Sequence, residues 1–177
     1  MLSIRHLSSL LLVLFGLVPI CLLGQTSIFG TVNEYAKVNS IAGSSLDVST
    51  TIGFAPGDKI LVIQMKGAAI NTTASPAYGD ITGYGSAGMY EYTTIDMITG
   101  STIELANVLC NIYDVADCVQ IVRVAEYTNA VVSAPVSCPT WNGSTGGIIS
   151  IETSGTLTLN ADINASGRGF RGGNICT

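Results

Sequence analysis

From Ile149 to Ser166 the chain alternates without a miss. The odd positions, among them Ile149, Ile151, Leu157, Leu159, Ala161 and Ile163, are apolar or small. The even positions, from Ser150 and Glu152 to Asn164 and Ser166, are all polar. A period of two over such a span sets one face against a core and the other in water. Ser154-Gly155 and Asn160-Ala161-Asp162 supply corners. Short strands that turn corners without losing phase predict the first coil of a parallel β-helix. A hairpin laid on the preceding domain fits the same alternation.

Upstream, short runs of Val, Ile, Leu and Tyr are punctuated by Gly, Ser, Thr and Asn, and helix signals are nearly absent. The runs repeat. Glu34-Tyr35 opens EYAKVNSIAGSSLDVSTTI, and Glu91-Tyr92 opens EYTTIDMITGSTIELANVL fifty-seven positions later. Ile41, Gly43 and Ser44 match Ile98, Gly100 and Ser101. After a two-residue shift, Gly57–Met65 aligns with Ala116–Val124. Each copy reads as strand, Gly-Ser turn, strand, Asp-containing turn, strand. Three such strands do not bury an apolar face alone. Two copies packed about a pseudo-twofold axis predict a small β-barrel or sandwich. The excursion Lys66–Met89 is long for a compact domain and marks a functional or unstructured loop.

The N-terminus is of another kind. Arg5-His6, an apolar run from Leu7 to Leu23 and the small Gly24 before Gln25 make a cleavable signal peptide. The expected organisation is a signal peptide over 1–24, a duplicated β-barrel or sandwich domain over 25–130, a linker over 131–147, and the start of a glycine-rich, β-helix-like region over 148–177. That last region is expected to be cut short at Thr177. The fold class is all-β.

Charge and composition then remove whole classes of function. The full chain has 177 residues, 7 bases, 12 acids and a net charge of −5; loss of Arg5 with the leader leaves 6 bases and −6. Nothing clusters Lys and Arg as phosphate binding requires. The single histidine is His6, which leaves with the leader, so histidine-based triads, Cys-His pairs and histidine-ligated metals are excluded from the mature chain. Two stretches match G-x-G-x-x-G, at Gly83, Gly85, Gly88 and at Gly167, Gly169, Gly172, but neither sits between a strand and a helix. Asp80, Glu91, Asp96 and Glu104 show no spacing of a glycosidase pair, and no calcium loop motif is present. The chain is read as non-enzymatic, with no cofactor, no metal, no nucleic-acid partner and no stable membrane span after cleavage.

Four cysteines remain after the leader: Cys110, Cys118, Cys138 and Cys176. An exported chain with an even count suggests two disulfides, and four cysteines allow three connectivities. The short Asn111–Asp117 separation favours Cys110–Cys118, worth about 2.5 kcal/mol in the chain-entropy account. Cys138 and Cys176 then remain to close the coil, for roughly 4 kcal/mol. Tyr78, Tyr84 and Trp141, with Tyr90 and Tyr92, are candidates for an aromatic glycan platform. Sheet packing for Tyr90 and Tyr92, and a plug at the domain junction for Trp141, are the competing readings.

The segments FAPGDKILVIQMKGA, YGSAGMYEY and WNGSTGGIISIETSGTLTLNADINASGRGFRGG carry a resemblance. Over roughly Phe54–Gly173 the chain resembles the N-terminal region of large, glycine-rich, adhesin-like surface proteins of Bacteroidota exported by the type IX route. Gln64–Gly67 and Gly169–Gly173 are its most specific parts. The resemblance implies a secreted or outer-surface location reached through a Sec signal, with surface glycans or other cell-surface proteins as partners. It implies a structural and adhesive role, as the N-terminal cap of a β-solenoid, and brings no catalytic residues. The alternative is the non-catalytic front of a polysaccharide-degrading parallel β-helix enzyme.

Overall fold

The computed structural model describes residues 24–170. The leader through Leu23, Cys176 and the segment after Phe170 lie outside the described residues. In chain order the strands are β1 (Thr26–Thr31), β2 (Tyr35–Ala42), β3 (Ser45–Val48), β4 (Lys59–Gln64), β5 (Ala69–Ile70), β6 (Ile81–Gly83) and β7 (Tyr90–Thr99). They continue as β8 (Thr102–Leu105), β9 (Val119–Arg123), β10 (Ala125–Tyr127), β11 (Ala130–Ser137), β12 (Ile151–Thr153) and β13 (Leu157–Leu159), with a 3-10 turn at Val115–Asp117.

Six strands close into an antiparallel barrel in the order β2-β3-β8-β7-β4-β9. The sequence repeat explains the closure. Leu46 stands opposite Ile103, its counterpart fifty-seven residues on, with Ser45 opposite Glu104 and Asp47 opposite Thr102. Across the barrel Val62 stands opposite Ile121, its counterpart in the shifted alignment. A local twofold axis therefore passes through both pairs. Equivalent positions behave alike. Gly43 and Gly100 turn the two hairpins at φ of 64° and 60°, where a side chain would be strained. Both first strands slip register at matching places, between Val38 and Ser40 and between Ile95 and Met97. Such bulges bend a strand and help a six-stranded sheet to close. Val38, Leu46, Ile60, Val62, Ile95, Ile103, Val119 and Ile121 fill the interior.

The remaining strands are parallel. β1, β11 and β13 form one sheet and β10 and β12 another. Ala125 stands beside Ile151 and Ala130 beside Leu157, steps of 26 and 27 residues along the chain. Val136 adds an isolated parallel bridge to Ile163. A second core joins Ile28, Ala130, Val132 and Val136, with Tyr127, Ile149, Ile151, Leu157 and Ala161 packed on it. The alternation after Ile149 thus makes two strands, β12 and β13, that pair in parallel with β10 and β11 and not with each other as a hairpin. Its first corner is tight, since a Cβ on Gly155 would stand 2.7 Å from the Thr128 carbonyl oxygen.

Two boundaries differ from the sequence expectation. Thr26–Thr31 lies outside the barrel and pairs in parallel with β11, burying only Ile28. Ala130–Ser137, mostly within the span expected as a linker, is an eight-residue strand. Pro135 suggested a break. It falls where the register jumps from Ile28↔Val132 to Gly30↔Val136, and an irregularity has no ladder bond for proline to remove. The barrel strands, from Tyr35 to Arg123, are therefore interposed between one pass of the parallel sheet and the next.

Twelve buried residues form the barrel core and four the second core. At about 1.5–3 kcal/mol for each fully buried aliphatic side chain, the barrel is the main source of stability.

Candidate functional site

The segment after β11 shows how the two parts are joined. Gly146, Ile148 and Ser150 are each held by one side chain of the barrel or its approach. Buried Gln120 donates to the Gly146 carbonyl at 3.1 Å and accepts from its N–H at 2.9 Å. Tyr35 donates its hydroxyl to the Ile148 carbonyl at 2.6 Å. Buried Asn33 donates to the carbonyls of Ser150 and Arg123 at 2.6 and 2.9 Å, and accepts from the Ser150 N–H at 3.2 Å. Alternate backbone positions of one segment are thus clipped to the barrel. Burial pushes the Tyr35 hydroxyl well above the usual tyrosine range, with the nearby Cys138 and Glu34 adding to the shift. Lys59 of β4 makes a second link, an ion pair of 2.5 Å with Glu152 of β12.

The three cysteines in the described residues are free thiols. The expected Cys110–Cys118 bond is not formed. The Cys110 N–H is held at 2.8 Å by the Glu91 carboxylate. Cys118 ends the 3-10 turn in the left-handed conformation, at φ 59°, and its thiol turns to the Gly143 carbonyl at 3.5 Å. Cys138 is buried, and burial pushes its thiol up. Cys176, its expected partner, lies outside the described residues.

The candidate aromatics do not come together. Tyr78 and Tyr84 are 66% and 71% exposed on the excursion after β4, Tyr78 in the loop between β5 and β6 and Tyr84 just after β6. Trp141 is only 7% exposed and leans on Phe170, ring centroids 5.9 Å apart. So buried, it offers no open face to a ligand. Tyr90 and Tyr92 pack edge to face at 6.2 Å on the outside of β7, with the Lys59 ammonium 5.4 Å from the Tyr92 ring.

A different arrangement forms the best-built cleft. Met65, Lys66, Gly67, Ala68, Ala87, Asp117 and Phe170 surround about 440 Å³ at one mouth of the barrel. Its floor is fixed. Buried Gln64 donates to the Lys66 carbonyl at 2.8 Å and accepts from the Asp114 N–H at 2.8 Å. The N–H groups of Met65 and Lys66 bond the carbonyls of Cys118 and Asp117, each at 2.9 Å. Gly67 has φ 123°, and a Cβ there would meet Gln64 Nε2 at 2.8 Å and Asp117 Oδ2 at 3.0 Å. A Cβ on Gly85 would overlap the Gly67 carbonyl. The QMKG and YGSAG segments thus need glycine because two loops meet backbone to backbone. The Lys66 ammonium stands 5.9 Å from the Phe170 ring centroid. Among the described residues Lys59–Glu152 is the one salt bridge, so Lys66 and Asp117 face this cleft without ion-pair partners. Sequence reading missed the cleft. The glycine of QMKG is its only local signal, because Asp117 and Phe170 arrive from distant segments.

No protein-family model and no curated protein matches this chain. Three solved structures are distantly similar. The Gp54 tailspike of Acinetobacter baumannii bacteriophage AP22, solved in complex with A. baumannii capsular saccharide, aligns at 11% identity and TM-score 0.36, over 76% of this chain and 25% of that one. The tailspike protein gp49 of Pseudomonas phage LKA1 aligns at 14% and 0.34, over 79% and 27%. The Pseudomonas phage phi297 tailspike gp61 aligns at 12% and 0.35, over 77% and 34%. The chain spans about a quarter to a third of the tailspike chains it matches.

Proposed function

We propose that this chain is the N-terminal cap and first rungs of a parallel β-solenoid in a secreted or cell-surface, adhesin-like protein. The observation that carries the reading is the parallel stacking of successive passes. Each pass after the barrel adds one strand to each of two sheets, at steps of 26 and 27 residues. Exposure along one column of the larger sheet points the same way. Ile28 and Val132 are 3% and 0% exposed, while Leu159, next in register, is 62% exposed. A further rung on β13 would cover it, as β11 covers β1. Repeats that bury their faces only against neighbours need a terminal unit of a different kind, and the barrel is such a unit. The resemblance to glycine-rich Bacteroidota surface proteins supplies the location and the partner class, surface glycans or other cell-surface proteins.

The test uses the organism that makes the chain. Intact cells are treated with an impermeant amine label and the mature chain is recovered and sequenced. The expected result is a chain beginning at Gln25 and labelled from outside. Labelling only after lysis would overturn the surface assignment. Release of new reducing ends from a polysaccharide by the purified protein would overturn the non-enzymatic role in favour of a degrading enzyme.

A further inference from the structure

We infer that the cleft between Lys66, Asp117 and Phe170 binds a carboxylate-bearing sugar unit of a polysaccharide. The assignment deepens the surface-protein reading, from which it takes only the source of the ligand. Three kinds of group meet there, and each suits one part of such a ligand. The Lys66 ammonium has no carboxylate partner among the described residues and is exposed, yet its backbone is pinned at both N–H and carbonyl. A cation held beside a concave surface attracts an anion. Phe170 is half exposed, and its ring suits the C–H face of a pyranose. The Asp117 carboxylate is an acceptor with no side-chain hydrogen bond among the described residues, and ring hydroxyls are donors. An inorganic anion would leave Phe170 and Asp117 unused, and a neutral sugar would leave Lys66 unpaired. The space, about 440 Å³, falls in the size range of small-molecule sites. The glycines make the cleft specific to this backbone, since a side chain at Gly67 would drive into Asp117 and Gln64.

The test is calorimetric titration of the mature chain with trigalacturonate, its methyl ester and triglutamate. Trigalacturonate is expected to bind, and the ester to bind about tenfold more weakly, as does Lys66→Gln toward the acid, from loss of one charge-assisted contact. Lys66→Arg is expected to retain binding, and Phe170→Ala to lose it with unchanged amide-exchange protection of the barrel strands. Three results would overturn the inference: no heat with millimolar trigalacturonate, equal binding of triglutamate, or binding abolished by Tyr78→Ala with Tyr84→Ala but untouched by Lys66→Gln. None of these touches the cell-labelling result, so the cap reading and the ligand assignment fail separately.

Discussion

Asn33 is the sharpest place to break the molecule. It is 2% exposed and sits just before the first barrel strand. Its side chain meets the carbonyls of Arg123 and Ser150 and the N–H of Ser150. Asn33→Ala breaks all three bonds; the Ser150 carbonyl keeps the Ala125 N–H at 3.0 Å, so the buried Ser150 N–H is the group left without its partner. A buried polar group left unpaired costs about 1–3 kcal/mol. The Ser150 N–H therefore sets the estimate at about 1–3 kcal/mol. Gln120→Ala removes the matching pair of bonds at Gly146 and is expected to cost a similar amount. These losses compare with about 5–15 kcal/mol for a whole domain. Urea unfolding followed by circular dichroism gives the global number, and amide exchange locates it. Exchange is expected to speed up at Ser150 and at the β12 and β13 amides far more than at Leu46 or Ile103. The two clips hold one segment, so the double variant is expected to lose less than the sum of the single losses once the first has freed it. A loss below about 0.5 kcal/mol with Ser150 exchange unchanged would refute the assignment of this seam to side-chain clips.

Three further outcomes follow from the geometry. Tyr35 holds its proton more tightly folded than unfolded, so the stability it lends is full below pH about 10, the unfolded value, and is lost as pH rises beyond it. Tyr35→Phe is expected to be about 1 kcal/mol less stable at pH 8 with a flatter fall above pH 10; parallel curves from urea midpoints across this window would contradict the burial argument. In reducing buffer iodoacetamide is expected to label exposed Cys110 first and Cys138, 1% exposed with a raised thiol, only in denaturant; equal rates by peptide mass would count against the fold around β11. Gly67→Ala is expected to lower stability by about 1–3 kcal/mol more than Gly79→Ala, because both have positive φ but only Gly67 has neighbours within contact; equal melting temperatures would show that the loop contact is not fixed.

What the sequence could show follows from the range of each interaction. The barrel was legible because its two halves repeat, and the twofold pairs Leu46–Ile103 and Val62–Ile121 are the repeat made visible. The Gly43 and Gly100 turns were legible because their chemistry is local. Thr26–Thr31 was not, since a strand that buries one residue carries no period to read. Pro135 concealed β11 because proline's meaning depends on whether its neighbour offers a ladder bond there. The clips from Asn33 and Gln120 span 117 and 26 residues, and a polar residue in an apolar run does not announce its partner. The burial of Trp141 against Phe170 was not legible, because its partner lies 29 residues on with no pattern linking the two.

The unequal cores and the clips explain why the parallel part is attached as it is. β10, β12 and β13 have three residues each, and their shared core holds four buried residues. Strands so short, in sheets of two and three, bury too little apolar surface to order themselves alone. At Gly146, Ile148 and Ser150 the barrel holds them by hydrogen bonds from Gln120, Tyr35 and Asn33. Such clips fix register: a shift of the segment by one residue would break both Asn33–Ser150 bonds and leave Gln120 unpaired at 0% exposure. Register matters most at this point, because β12 sets the phase of β13 and of anything stacked on it, and a slip of one residue would turn every apolar side chain from Ile149 to Ile163 outward. The barrel is therefore placed to set the phase of the parallel stack before its second pass begins.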